Sequence, residues 1–326
     1  MNIKKIGMTA LAASLVSTSV FAGELTATGA ASITVENYSG EQVNAGKAFS
    51  MADSVTLGGS TELDNGMTVS MSFELDSDNP GTSSYDNKSV TISSDAMGTF
   101  KFSGHGGSTA VSAIDATAAG DLFDNFDGQI GTAETTLAAG DAAMLSTAGG
   151  NNTMLYTLPS LVEGLSVSGS YTPKGTTAES STAIAGTYTG VEGLSVSYGV
   201  GSNDAAAGTA NNADVTTMKA SYAIASFTLA YSDHEFDSAL ATRDQDTKSY
   251  SIAYTVSDAI SVTYGTEELS SGEASTVDAE YSKISVAYTS GGMTITANQQ
   301  EAENISYGTA TTEDQDYWGL TLGFAF

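Results

Sequence analysis

An acidic segment, from about Gly106 to Gly150, is the part of the chain whose residue types could do chemistry. It contains no lysine, arginine or histidine. Clustered carboxylates attract cations and repel anions, and carboxylate oxygens are ligands that Ca²⁺ prefers. The acidic residues of the segment are Asp115, Asp121, Asp124, Asp127, Glu134 and Asp141.

Three of these residues, Asp121, Asp124 and Asp127, could supply oxygen ligands for Ca²⁺ together with Gly128, and they form a weak candidate calcium site. Their spacing does not match the alternating ligand positions of an EF-hand loop. A solvated acidic loop is the competing interpretation. The sequence indicates no other metal site and no cofactor.

The rest of the chain offers little for catalysis or for nucleic-acid binding. It has no cysteine, and of its two histidines only His234 follows an aspartate, Asp233. Neighbouring residues in a strand point to opposite faces, which argues against a catalytic dyad. With 38 acidic and 10 basic residues, the chain has no basic surface to neutralise phosphates. The sequence therefore predicts neither an enzyme nor a nucleic-acid-binding protein.

The segments that would position these residues read as β-strands. From Met67 to Leu75, every odd position is apolar and every even position is polar. This alternation is typical of a strand with one apolar and one polar face. It recurs down to the last residues, which predicts about sixteen strands in an all-β chain.

The connections between these strands alternate between short turns and long loops. The short ones hold Asn, Asp or Gly, as in Asp64-Asn65-Gly66, and the long ones are acidic and rich in Gly, Ser and Thr. Short turns at one rim and long loops at the other are the layout of transmembrane antiparallel barrels. The polar faces consist of Ser, Thr, Gly and Ala, so we expect the apolar face to point outward and the polar face to line a water-filled lumen.

Strand phase assigns three lysines to the lumen. Lys101, Lys219 and Lys283 alternate with apolar neighbours and are the candidates for a basic pore wall. The competing interpretation is that they pair with nearby carboxylates. We expect the segment from Gly106 to Gly150, the third long loop, to fold into the pore, where its apolar residues would hold it against the wall.

The N-terminus reads as a cleaved signal peptide. Lys4 and Lys5 precede an apolar run, and Val20-Phe21-Ala22 places small residues where a signal peptidase cuts. The predicted organisation is a signal peptide over residues 1–22 and one barrel domain over residues 23–326.

Two segments carry a resemblance to a known family. The strand from Asp316 to Phe326 ends on an aromatic residue and resembles the C-terminal strand of bacterial outer-membrane proteins. The stretch from Asn151 to Leu165, with Pro159 in its turn, resembles the strand, turn and restart that follow the third loop of general porins of Gram-negative bacteria.

This resemblance implies a homotrimer of sixteen-stranded barrels in the outer-membrane lipid, each narrowed by its third loop. It also implies that Phe326 is the signal read by the barrel assembly machinery. The small outward residues Ala27, Gly29 and Ala31 would allow close approach of neighbouring copies. One departure is that many porins carry an arginine cluster on the wall, whereas this chain has Arg243 alone.

The predicted function is passive diffusion of small hydrophilic solutes and ions through a pore that prefers cations. One alternative is an acidic surface structural protein or adhesin. Another is a substrate-specific porin of the sugar-transporting type, although the lumen positions are mostly Ser and Thr rather than an aromatic track.

Overall fold

The structure is a computed structural model that describes residues 25–39, 46–76, 86–126, 144–173, 180–205, 211–273, 276–309 and 314–326. The predicted signal peptide, residues 1–22, lies outside these ranges and stays a prediction. So does residue 23 as the start of the barrel domain. Among the described residues, no helix has both the length and the apolar character needed to cross a membrane.

Sixteen strands account for most of the described chain, together with two short 3-10 helices, Leu122–Phe126 and Ala241–Arg243. The strands are β1 (Thr26–Ser39), β2 (Gly46–Glu62), β3 (Thr68–Asp76), β4 (Asn87–Ser94), β5 (Gly98–His105), β6 (Thr153–Thr157), β7 (Leu165–Thr172), β8 (Ser180–Tyr188), β9 (Leu194–Asp204), β10 (Ala213–Ile224), β11 (Phe227–Ser238), β12 (Gln245–Ser257), β13 (Ile260–Ser271), β14 (Ala279–Ser290), β15 (Met293–Glu303) and β16 (Gln315–Ala325).

The strands form one closed antiparallel barrel. Each strand pairs with its neighbours in the chain, and β16 closes the sheet by pairing with β1, with Val35 opposite Leu320. Closure leaves no unpaired edge, which a strand in lipid cannot tolerate. The predicted sixteen-stranded all-β barrel is confirmed.

The two faces of each strand differ as the alternation predicts. In β10, Val215 and Thr217 are buried in the interior, whereas Met218 and Tyr222 are exposed on the outer face. Lys219 shares the phase of Val215 and Thr217, so its side chain points into the lumen.

Turns of a few residues join β2 to β3, β4 to β5 and each later pair at one rim, whereas the long connections lie at the other. Gly98 follows the β4–β5 turn with φ +75°, a conformation that glycine adopts at little cost.

The wall of the barrel is lower on one side. Strands β4, β5 and β7 have 8 residues each and β6 has 5, whereas β9 to β16 have 11 to 13. The chain turns into the lumen directly after β5, at Gly106 with φ +62°. Part of the interior is therefore filled by protein rather than by water.

Candidate functional site

The third loop, residues 106–152, enters the lumen at its first residues. A Cβ on Gly107 would lie 2.7 Å from the Cβ atoms of Ser103 and Thr153, whose side chains face inward. Gly107 also exchanges two backbone hydrogen bonds with Gly150, of 2.9 and 2.6 Å. The two limbs of the loop thus start side by side on the inner surface of β5 and β6.

The outgoing limb, residues 108–120, is held by serine hydroxyls of the wall. Each hydroxyl replaces a backbone partner that a strand would otherwise supply. The backbone N–H groups of Ala110, Ala118 and Ala119 donate to Ser170 of β7, Ser232 of β11 and Ser249 of β12, at 2.8, 2.8 and 2.9 Å. Ser251 of β12 donates to the carbonyl oxygen of Ala118 at 2.7 Å.

Amide and imidazole side chains hold the returning limb, residues 144–149. Gln245 of β12 accepts from the N–H of Leu145 at 2.8 Å, and Nε2 of His234 in β11 lies 2.6 Å from the carbonyl oxygen of Leu145. Asn203 of β9 accepts from the N–H of Ala148 at 2.8 Å. The polar lumen face therefore binds loop backbone as well as lining water.

Two charged wall residues form hydrogen bonds with the loop around Thr117. Lys219 donates from Nζ to the carbonyl oxygens of Ala116, at 2.6 Å, and Thr117, at 3.3 Å. Glu267 of β13 is 2% exposed. It accepts from the Thr117 hydroxyl and, at 2.7 Å, from the N–H of Leu122.

The end of the described outgoing segment is apolar and buried. Leu122, Phe123 and Phe126 pack with apolar residues of β13 to β16 and of the connection that follows β15. The partners in this cluster are Leu269, Ala279, Tyr281, Ala302, Ile305, Tyr307 and Tyr317. The predicted loop folded into the barrel, held by apolar residues, is confirmed for these three side chains.

The six predicted constriction carboxylates have different positions. Asp127, Glu134 and Asp141 lie outside the described residues and remain predictions. Asp124 is exposed, whereas Asp121 accepts a hydrogen bond of 2.9 Å from the N–H of Thr117 and so closes a local turn. Asp121 therefore stabilises the conformation of the loop itself.

Asp115 differs from the prediction because it is 9% exposed and does not present an open carboxylate to the lumen. It accepts a hydrogen bond from the Ser146 hydroxyl, which joins the two limbs of the loop, and the His234 ring is close enough to act on its charge. Burial raises the pKa of Asp115, and the bond from Ser146 opposes that shift.

One member of the candidate calcium site, Asp127, lies outside the described residues. Of the other two, Asp121 already uses one oxygen for Thr117. Within the described ranges, no three Asp, Glu, His or Cys side chains come together as metal ligands would. The calcium hypothesis stays a prediction.

The three predicted lumen lysines have separate roles. Lys101 shares the phase of the buried Ser103 and is exposed on the lumen face of β5. Lys219 donates its hydrogen bonds to the loop carbonyl oxygens of Ala116 and Thr117. Lys283 of β14 is partly buried, and Glu267 is the charged group that acts on it. Of these lysines, Lys101 is the one that presents an exposed charge to the lumen.

Sequence reasoning missed Glu267, His234, Asn203 and Gln245 as loop-binding residues. For Glu267 a signal was present, because Tyr264 and Glu268 share one strand phase and Gly265, Glu267 and Leu269 the other. That alternation places Glu267 inside and Glu268 outside. No sequence signal shows which loop residues Glu267 binds, since 145 or more positions separate them.

The lumen face of the first strands is acidic. Glu36 of β1 and Glu74 and Asp76 of β3 share the inward phase. Glu74 accepts a hydrogen bond of 2.8 Å from Asn87 of β4, and Glu36 accepts one of 3.3 Å from the phenol of Tyr317.

Phe326 lies at the rim where the barrel closes. Its backbone exchanges two hydrogen bonds with Gly29, of 2.7 and 3.0 Å, and its side chain is exposed on the outer face. The proposed reading of this residue by the assembly machinery stays a prediction.

Solved structures with the same fold cover nearly the whole chain. The anion-selective porin from Comamonas acidovorans is 15% identical with a TM-score of 0.68, over 93% of this chain and 100% of that one. A variant of the Rh. blastica porin is 14% identical with a TM-score of 0.64 over the same shares. A loop-deletion variant of OmpT, an outer membrane protein of Vibrio cholerae, is 15% identical with a TM-score of 0.66, over 94% and 100%. At these identities the likeness shows the fold alone.

No protein with curated function matches the chain. The family model described as Gram-negative porin, however, matches residues 7–297, which is most of the sequence. That match agrees with the closed sixteen-stranded barrel and its inward-folded third loop. The chain therefore belongs to the Gram-negative porin family, and it is a channel protein of the bacterial outer membrane rather than an enzyme.

Proposed function

We propose that the chain conducts small hydrophilic solutes and ions by passive diffusion and that its pore prefers cations. The observation that carries the preference is the distribution of charge around the lumen. The bonds of the described loop residues go mainly to β7–β13, so the described part of the loop leaves the inner surface of β2–β5 to border the passage. That wall carries Glu74 and Asp76, with Lys101 as the exposed base.

The magnitude of the preference follows from the distances between an ion and these carboxylates. Unit charges about 4 Å apart interact by roughly 1 kcal/mol in bulk water and about 4 kcal/mol at an effective dielectric of 20. A narrow passage lies between these limits, which corresponds to a several-fold selection between ions of opposite sign. The anion-selective Comamonas porin has the same fold. The fold therefore does not determine whether the pore prefers cations or anions. The charges that line the lumen determine it.

The experiment is the zero-current potential of the purified protein in a planar bilayer with a KCl gradient. We expect a cation-selective potential that shrinks in high salt, because the screening length falls from about 10 Å at 0.1 M to about 3 Å at 1 M. Glu74→Gln should reduce the selectivity and Lys101→Met should increase it. An anion-selective wild type would overturn the preference, and absence of conductance would overturn the channel.

The two alternatives can be tested with the same protein. Membership of a channel family removes the main support for an adhesin. A sugar-specific porin would show saturable flux, whereas passive diffusion predicts flux proportional to the solute gradient. The lumen positions Ser70 and Ser72 of β3 and Ser89 and Thr91 of β4 favour diffusion, because they provide no aromatic surface for a sugar ring.

We further propose that the channel is a homotrimer in which the low side of the wall faces the other copies. A strand needs about 9–11 tilted residues to cross a bilayer. Strands β4 to β7 have 8 or fewer. Eight residues rise about 26 Å along a strand, or about 20 Å at a tilt near 40°, against an apolar band of about 25 Å. The 5 residues of β6 rise less. A second copy would shield the rim that is left at hydrocarbon depth.

The distribution of charge on the outer face also supports the low side of the wall as the contact between copies. The outward positions of β4 to β7 include a single charged residue, Lys88. The ends of β9 to β16 next to the long connections carry one outward lysine, Lys248, and many outward carboxylates, at Asp204, Asp214, Asp233, Glu235, Asp237, Asp246, Glu268, Glu280, Glu301, Glu303 and Asp316. Packing two such surfaces together would be repulsive, which leaves the low side for contact between copies. From β4 the sheet continues through β3 and β2 to β1, which carries Ala27, Gly29 and Ala31.

A further inference from the structure

Thr117 is the point at which the wall holds the third loop with charged groups from two directions. Lys219 donates to its carbonyl oxygen and to that of Ala116, at 3.3 and 2.6 Å. Glu267 accepts from its hydroxyl. We call Thr117, Lys219 and Glu267 the Thr117 clasp.

The hydrogen bonds that the Thr117 hydroxyl accepts determine that its partner, Glu267, has to be a hydrogen-bond acceptor. Its oxygen accepts the N–H groups of Gly120, at 3.1 Å, and Asp121, at 2.7 Å. Both lone pairs are thereby used, so its single proton has to be donated outward, to Glu267.

The other oxygen of Glu267 accepts from a donor too, the N–H of Leu122, at 2.7 Å. The two donors therefore require that each of the two terminal atoms of the residue 267 side chain be an acceptor. A carboxylate meets this requirement, whereas a glutamine amide has one acceptor oxygen and would present an N–H₂ group to one of the two donors.

The two wall charges bind loop groups of opposite kinds: Lys219 binds hydrogen-bond acceptors and Glu267 binds hydrogen-bond donors. Lys219 supplies donors to backbone carbonyl groups, and Glu267 supplies acceptors to an N–H and a hydroxyl. Hydrogen bonds with one charged partner are roughly twice as strong as neutral ones, such as those from Ser232 and Ser249. The clasp is therefore the strongest described attachment of the outgoing limb.

We infer that Glu267 and Lys219 are positioning residues of the channel: they hold the third loop at one place in the lumen and so keep the pore open at one cross-section. This inference rests on the proposed channel function. It also assigns the charge of Lys219 to loop attachment, in contrast to Lys101, whose charge acts on passing ions.

The test compares neighbouring glutamates that point to opposite faces. Glu267→Gln removes one acceptor inside the barrel, and Glu268→Gln makes the same change of charge on the exposed outer face of the same strand. In single-channel recordings we expect Glu267→Gln to raise the frequency of spontaneous closures and the open-channel noise on the order of tenfold. Glu268→Gln should behave as the wild type.

A loop substitution keeps the test independent of barrel folding. Thr117→Val lies outside every strand, removes the hydroxyl and retains the shape of the side chain, so it should reproduce the closures of Glu267→Gln. Thr117→Ser should restore the wild-type record, because it returns the hydroxyl. Unchanged closure in both Glu267→Gln and Thr117→Val, or equal effects of Glu267→Gln and Glu268→Gln, would overturn the clasp.

The lysines separate positioning from ion selection. Lys219→Met should increase closures and leave the zero-current potential close to that of the wild type, whereas Lys101→Met should shift the potential and leave closures unchanged. If Lys219→Met shifts the potential as far as Lys101→Met does, Lys219 acts on ions and the inference is wrong. An anion-selective wild type with these closure effects would overturn the cation preference and leave the clasp intact.

Discussion

Tyr38 of β1 donates a hydrogen bond of 2.8 Å to the carbonyl oxygen of Asn125 and so ties the third loop to the first strand. The same ring meets Phe126 edge-on, with centroids 6.3 Å apart, and lies 4.8 Å from the ring of Tyr317. The loop is thus attached by polar bonds along β7–β13 and by aromatic packing where the barrel closes.

We predict that Phe126→Ala loosens this aromatic attachment. Phe126 is fully buried, and removal of a buried phenylalanine side chain costs about 3–5 kcal/mol in well-packed interiors. Much of that loss should appear as local release of the loop, since the strands pair without it. The expected results are a noisier channel and a lower thermal unfolding midpoint by circular dichroism in detergent. Tyr38→Phe is the matched control, because it loses the hydroxyl and keeps the ring; equal effects of both variants would contradict the packing argument.

Gly98 should tolerate no side chain. A Cβ there would overlap the carbonyl oxygen of Thr157 and lie 2.8 Å from the nitrogen of Pro159. We expect Gly98→Ala to destabilise the barrel by more than the ~1 kcal/mol of a simple positive-φ glycine. The comparison is Gly66→Ala, since Gly66 has φ +77° with no atom within 4 Å of its Cβ position. Urea unfolding in lipid vesicles measures both, and a similar cost for the two variants would refute the steric explanation.

The buried Asp115 predicts a pH dependence of stability with a definite sign. Burial raises the pKa of Asp115 in the folded protein, so the folded state binds a proton more readily than the unfolded state. Stability is therefore lost as the pH rises from the ordinary pKa of an aspartate through the raised value. Asp115→Asn does not titrate and should gain stability relative to the wild type across that window.

The measurement is the urea midpoint of both proteins between about pH 3 and about pH 7. Asp124→Asn removes the same charge from an exposed position of the same loop and controls for the general effect of net charge. If the advantage of Asp115→Asn grows toward acid rather than toward neutral pH, the burial explanation is incorrect.

Two equally exposed methionines test which side of the barrel meets other copies. Met154 of β6 and Met218 of β10 point outward, and each is 39% exposed. The chain lacks cysteine, so Met154→Cys and Met218→Cys each provide one site for a nitroxide label. In a reconstituted trimer we expect the label at position 154 to be immobile and shielded from oxygen dissolved in the lipid, and the label at 218 to be mobile and accessible.

Native mass measurement of the same samples separates the two parts of that proposal. A monomer would refute the homotrimer itself. A trimer with both labels accessible to lipid would refute the low side as the interface and leave the oligomeric state intact.

The sequence by itself determined the barrel. A strict period of two fixes which side chains face lipid and which face the lumen, and the alternation of short turns with long loops sets the number of strands and the two rims. These are local properties, because neighbouring residues in a strand point to opposite faces whatever the partner strands are. The same phase placed Lys101, Lys219 and Lys283 in the lumen.

Only the tertiary structure decided what the lumen residues do there. Asp115 turned out to be buried against Ser146, and Lys219 is bound to the backbone of Ala116 and Thr117. Glu267 lies more than 140 positions from its loop partners. Such contacts depend on where a long loop crosses the inner surface of a closed sheet, and that path is set by the packing of Leu122, Phe123 and Phe126 against distant strands rather than by any local pattern.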